Sequence, residues 1–112
     1  MQHRRVITFI VHVRVAPGNQ AAFIALMAEV VATTRAREPG VVHYALARSV
    51  DEADGFCIVE VYADAAAHAA HMAAPWVRDS LPRALALMEG RPQIRQYVSD
   101  GSAAVATTVA SS

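Results

Sequence analysis

The run VVHYALARSVDEADGFCIVEVYADAAAHAAHMAA, residues 41–74, decides the fold. Its first third, Val41 to Val50, has the β-branched and aromatic content of a strand. Val42, Tyr44 and Leu46 fall on one face of it and His43, Ala45 and Ala47 on the other. Asp51-Glu52-Ala53-Asp54-Gly55 is a turn by composition. Phe56 to Ala63 is a second strand, with Phe56, Ile58, Glu60 and Tyr62 on one face and Cys57, Val59 and Val61 on the other. Asp64 can accept a hydrogen bond from the first turn of a helix, so it caps Ala65 to Ala74. The stretch is therefore a β-hairpin that feeds a helix.

Working outward, Arg5 to Ala16 is a strand with Ile7, Phe9, Val11, Val13 and Val15 on one face. Pro17-Gly18 stops it, and Asn19 caps a helix over Gln20 to Glu38. Phe23, Leu26, Met27, Val30, Val31 and Thr34 recur at helical spacing, and Pro39-Gly40 ends the helix. Downstream, Pro75 interrupts the chain and Trp76 to Glu89 resumes helical spacing, with Leu81, Leu85 and Met88 aligned. Pro82 kinks or restarts that helix. Gly90 closes it, and Pro92 to Ser99 is a last strand. The order β-α-β-β-α-β predicts an α+β, ferredoxin-like domain: a four-stranded antiparallel sheet with helices on one face. It spans residues 1–99, and residues 100–112 form a Ser/Ala/Thr-rich tail. Helices on one face leave the other face bare, and a second copy of the chain is the simplest cover for it, so a homodimer is expected.

With 54% hydrophobic residues the 112-residue chain has ample surface to bury, which excludes a disordered protein. Ten basic and ten acidic residues cancel, so no global field draws it to nucleic acid or an anionic membrane. Cys57 stands alone, which excludes an internal disulfide framework and a Cys-rich zinc site. The apolar run Val6 to Val13 is far short of the about 20 residues a membrane span needs. The chain reads as soluble and cytoplasmic. No phosphate loop, serine elbow or nucleotide fingerprint is visible, so no cofactor is expected.

Several runs then point to a family. Ala16-Pro17-Gly18 followed by Phe23, the corner Glu38-Pro39-Gly40-Val41-Val42-His43-Tyr44, and Glu60-Val61-Tyr62-Ala63-Asp64 followed by Ala67 and His71 resemble antibiotic biosynthesis monooxygenase (ABM) domains. The resemblance covers roughly residues 5 to 99. It implies a dimeric α+β barrel with a pocket between sheet and helices in each protomer. Such domains include cofactor-free quinol and anthrone oxygenases, haem-degrading enzymes and a small-molecule isomerase. Tyr62 stands where the family commonly has Trp, and no Asn lies on the first strand. Both departures argue against haem degradation.

His71 matches the family's helix histidine, and an imidazole of ordinary pKa about 6.5 can take a phenolic or enolic proton at neutral pH. Tyr62 and Glu60 share a strand face and can reach the same pocket; Glu60 needs a partner if it is buried. His43, beside the Tyr44 corner, is a second base candidate. It and His12, on inner strands, can equally be hydrogen-bonded core residues. Trp76 offers a flat wall to an aromatic ligand, and Phe23, Met27 and Met72 supply apolar contacts. His68 shares a helix face with His71, but two imidazoles without further ligands make no zinc site. His68 reads as solvated, and no metal is expected. Cys57 lies on the opposite strand face and reads as a core or interface residue.

These residues predict a cofactor-independent monooxygenase that oxidises an electron-rich phenol, quinol or anthrone-like polyketide with dioxygen. The alternatives are a non-catalytic dimeric binding protein for small molecules and an isomerase or cyclase that works by proton transfer alone.

Overall fold

The computed structural model of the protein describes residues 5–100. Residues 101–112, almost all of the predicted tail, lie outside the described residues. The chain runs β1 (Arg5–Arg14), α1 (Pro17–Arg37), β2 (Val41–Arg48), β3 (Gly55–Tyr62), α2 (Ala65–Ala73), α3 (Pro75–Leu87) and β4 (Gln93–Asp100). The strands form one antiparallel sheet in the order β2-β3-β1-β4. This is the ferredoxin-like arrangement, with its second helical segment divided in two at Pro75. Ala74 is extended there and serves both as the C-cap of α2 and as the N-cap of α3. The residue before a proline is pushed out of helical conformation, which accounts for the break.

The helices cover one face of the sheet. Val11, Val13 and Val15 from the β1 segment, Ile58 and Phe56 from β3, and Phe23, Leu26, Met27 and Val30 from α1 form the core. These are the strand and helix stripes predicted from spacing. The other face carries Val6, Thr8, Ile10, Ala45, Val59 and Val61, all half-exposed.

Several local details depart from the expectations. The first helix starts at Pro17, with Ala16 as its N-cap, because a proline at the first helical position loses no hydrogen bond. Asn19 lies inside the helix, and its side-chain amide donates to the Leu87 carbonyl at 3.4 Å. β2 is an edge strand, and its register slips between Val41 and His43. That bulge breaks the alternation, so Val42 is 65% exposed instead of sharing the covered face of Tyr44. His43 and His12, considered for the interior, are both exposed.

α2 reaches the sheet through one close approach. The Asp64 carboxylate accepts from the Ala67 amide at 2.9 Å, as the capping prediction requires. The Ala63 amide donates to the Gly40 carbonyl at 2.8 Å, which holds the start of α2 against the start of β2. A Cβ on Gly40 would stand 2.5 Å from Ala67 Cβ. Gly40 and Ala67 are thus small because backbone meets helix there. Gly40→Ala is expected to destabilise the fold by about 1–3 kcal/mol, the usual cost of overpacking, as measured by urea unfolding.

Candidate active site

The site begins at the end of α1. Glu38 is its C-cap, and Pro39 holds the Glu38 backbone extended, at φ −113° and ψ 95°. Its side chain is 9% exposed. A buried carboxylate needs donors, and α2 and α3 supply them. His71 Nδ1 lies 2.9 Å from Oε1 and 3.0 Å from Oε2 of Glu38. Trp76 Nε1 donates to Oε2 at 3.0 Å. In the tautomer that carries its proton on Nδ1, the imidazole donates to the carboxylate and Nε2 holds the lone pair.

His71 forms part of the wall of a cavity of about 320 Å³ between the sheet and the three helices. Its floor is built from cross-strand rows. Phe9, Glu60 and Tyr44 lie side by side on β1, β3 and β2, and Val11, Ile58 and Ile94 belong to the next row. Met27 and Val30 close it from α1, His68 and Met72 from α2, and Val77, Leu81 and Leu85 from α3. Among the lining residues only Tyr44, Glu60, His68, His71 and Ser80 carry polar side chains, and none is Lys or Arg.

Of the residues expected at the site, His71, Glu60, Met27 and Met72 meet at this cavity. Tyr62 does not line it. It is fully buried, and its hydroxyl donates to Glu60 Oε1 at 2.6 Å. Trp76 is turned to Glu38 and stacks beneath the Arg37 guanidinium, 5.8 Å from the ring centroid, so it is no wall for a ligand. Phe23 packs on Phe56 in the core, ring centroids 5.4 Å apart. His43 lies on the exposed sheet face, opposite to His71, because neighbouring residues of a strand point to opposite faces and Tyr44 takes the covered one. His68, read as solvated, is instead packed at 4.5 Å on Phe9 and 5.0 Å on Tyr62, centroid to centroid. Burial, with His71 nearby, pushes its pKa below the ordinary value. Ala67, in the same helix, meets Gly40.

Sequence reasoning missed two site residues. Glu38 stood in the quoted corner motif but looked like the end of a helix. Tyr44 looked like core; its ring lies 5.1 Å from that of His71 and lines the cavity. Burial first, then the nearby Glu60 and Glu38 carboxyl groups, push the Tyr44 phenol well above its ordinary range, so it keeps its proton. The same forces act on Tyr62.

A family model described as "Antibiotic biosynthesis monooxygenase" matches residues 6–81. The chain belongs to this family. Among solved structures, a Caulobacter crescentus CB15 protein named for the same family is similar at 26% identity and TM-score 0.81, over 84% of this chain and 89% of that one. A Bacteroides thetaiotaomicron VPI-5482 protein of unknown function, described as a possible oxidoreductase, is 24% identical at TM-score 0.79, over 86% and 99%. Rv0793 of Mycobacterium tuberculosis is 21% identical at TM-score 0.76, over 82% and 92%. No curated protein matches the sequence. The ABM match includes Glu38, Tyr44, Glu60 and His71 and stops at Leu81, partway along α3.

A larger hollow, of about 600 Å³, lies at the end of the sheet near the β2–β3 turn, lined by Arg14, Arg48, Arg91 and Arg95 with Glu52 and Glu89. It shares no residue with the His71 cavity and presents no buried base. No described helix is long and apolar enough to cross a membrane. Among the described residues no three His, Cys, Asp or Glu side chains group as metal ligands.

Glu38→Ala strands the Nδ1 proton of His71 and the Trp76 indole N–H without an acceptor. It is expected to cost about 1–3 kcal/mol, the penalty of leaving buried donors unmet. Trp76 is the only tryptophan, so a changed emission spectrum of the folded variant reports the same loss.

Proposed function

We propose that the protein is a cofactor-independent monooxygenase that oxidises an electron-rich aromatic, a phenol, quinol or anthrone-like compound, with dioxygen. The observation that carries this reading is a carboxylate-held imidazole at the wall of a dry apolar cavity. Such a substrate does its own redox work once it is deprotonated. His71 Nε2 takes the phenolic or enolic proton, and Glu38 stabilises the imidazolium that forms. Tyr44 gives a hydrogen bond to the oxygen that becomes anionic. The anion passes one electron to dioxygen, and the resulting radical and superoxide combine into a carbon–oxygen bond. Met27, Met72 and Ile58 keep the ring and the oxygen out of water.

An isomerase working by proton transfer would use the same dyad. Oxygen uptake with a panel of hydroquinones and anthrones separates the two, since only the oxygenase consumes dioxygen. His71→Ala is expected to keep the fold and to lower turnover roughly 10²-fold, the usual loss on removing a general base. Tyr62→Phe should cost less, because its hydroxyl acts only through Glu60. Full activity of His71→Ala on a substrate that the wild type oxidises would end the assignment of the base.

The functional unit in this reading is a homodimer. Its support is the sheet face opposite the helices, where Ile10, Ala45, Val59 and Val61 leave apolar surface half-exposed in one protomer. An obligate interface on that face buries about 2,000 Å² or more in total. Sedimentation at micromolar concentration should give twice the monomer mass, and a clean monomer would refute the dimer.

A further inference from the structure

Glu60 opens on the cavity beside His71, Glu38 holds the same imidazole from outside the cavity lining, and no Lys or Arg lines the cavity. The two are not equally supplied with donors. Glu38 meets His71 and Trp76, whereas Glu60 meets only the Tyr62 hydroxyl. Tyr44 and Phe9 flank Glu60 on the neighbouring strands, and neither donates a hydrogen bond to it. His68 and His71 face the same cavity from α2, and α3 adds only Ser80 as a polar group. Two carboxylates withdrawn from water on either side of His71 repel each other and each forgoes hydration, so a proton settles on the less well supplied group.

We propose that Glu60 is a neutral carboxylic acid in the resting protein and is the second catalytic residue, the acid that protonates the peroxide formed when dioxygen adds to the substrate. This rests on the oxygenase reading given above. The protonation asymmetry agrees with the forces on Glu60. Burial raises its pKa above the ordinary 4.5, and the Glu38 charge adds to that, against the opposing pull of Tyr62 and His71.

The step balances for a ring CH₂ that becomes a ketone. His71 takes the first substrate proton, and the carbanion and dioxygen form a carbon–peroxide bond. Glu60 gives its proton to the terminal peroxide oxygen. The Glu60 carboxylate then removes the remaining C–H proton, the carbonyl forms as the O–O bond breaks, and hydroxide leaves. Hydroxide takes the proton from the His71 imidazolium as water. Both residues return to their starting states, and dioxygen is the only oxidant. The geometry also accounts for Tyr62. Its hydroxyl holds one Glu60 oxygen, so the other is presented to the ligand.

Three measurements on the protein test this. Difference infrared spectra between wild type and Glu60→Gln at pH 7 should show the carbonyl band of a neutral carboxylic acid in the wild type alone. An ionised Glu60 there overturns the proposal without any substrate being needed. Stability should follow the same proton. The folded carboxyl keeps it above the pH at which the unfolded chain releases it, so wild-type stability falls as pH rises from the ordinary Glu range through the folded pKa. Glu60→Gln, isosteric with the neutral acid, should lack that slope; an identical slope in the variant counts against the proposal. With an anthrone that the wild type oxidises, Glu60→Gln should lower ketone formation roughly 10²-fold and release hydroperoxide, detected by a peroxidase-coupled assay. Unimpaired ketone formation by Glu60→Gln overturns the Glu60 role alone. A wild type that consumes no oxygen with any hydroquinone or anthrone overturns the oxygenase reading and this step with it.

Discussion

A carboxylate withdrawn from water must be met by donors, and in this fold that carboxylate is Glu38. It sits where α1 ends, and its partners come from α2 and α3. One charged group therefore fixes the positions of three helices relative to one another above the sheet. The arrangement is specified by chemistry as much as by packing. A mere apolar contact at this point would tolerate rotation of α2, whereas the fork of Glu38 accepts His71 in one ring orientation. The same contact that organises the helices therefore also sets the tautomer of the candidate base. Helix placement and site geometry thus share one interaction.

The sheet supplies the other half of the site by register. Phe9, Glu60 and Tyr44 are direct neighbours across three strands, so their side chains rise from the same face. The bulge at Val41–His43 is what brings Tyr44 into that row despite the slip at the strand's start. Gly40 and Ala67 then let α2 descend close enough for His71 to reach Glu38. Small residues at this corner are thus as necessary to the geometry of the site as the polar ones.

The polar groups divide into those that hold others and those that face the cavity. Trp76 and Tyr62 are spent on Glu38 and Glu60. His71, Tyr44 and Glu60 open on the cavity. Two of these three are oriented from outside the cavity, His71 by Glu38 and Glu60 by Tyr62. The cavity has an apolar rim, where Leu81, Leu85 and Met72 are about two-fifths exposed.

The order of elements was determined by the sequence alone. Period-two runs marked the strands, three- and four-residue steps marked the helices, and Pro-Gly pairs and Asp64 marked the boundaries, all signals that act between near neighbours in the chain. His71, Glu60, Met27 and Met72 were legible for the same reason, since each sits on a predictable face of its own element. The pairing of Glu38 with His71, 33 residues apart, was not legible, because a hydrogen bond between helices leaves no local period. Nor was the fate of Tyr62 and Trp76: periodicity says which way a side chain points, not whether a partner is waiting to claim its polar atom. His43 was misplaced because the sequence does not say that β2 is an edge strand whose second face is uncovered in the protomer. Local sequence fixes elements and faces through short-range sterics and burial. Only the tertiary structure decides which polar groups neutralise one another and which are left to meet a ligand, because that depends on long-range proximity in a medium without water.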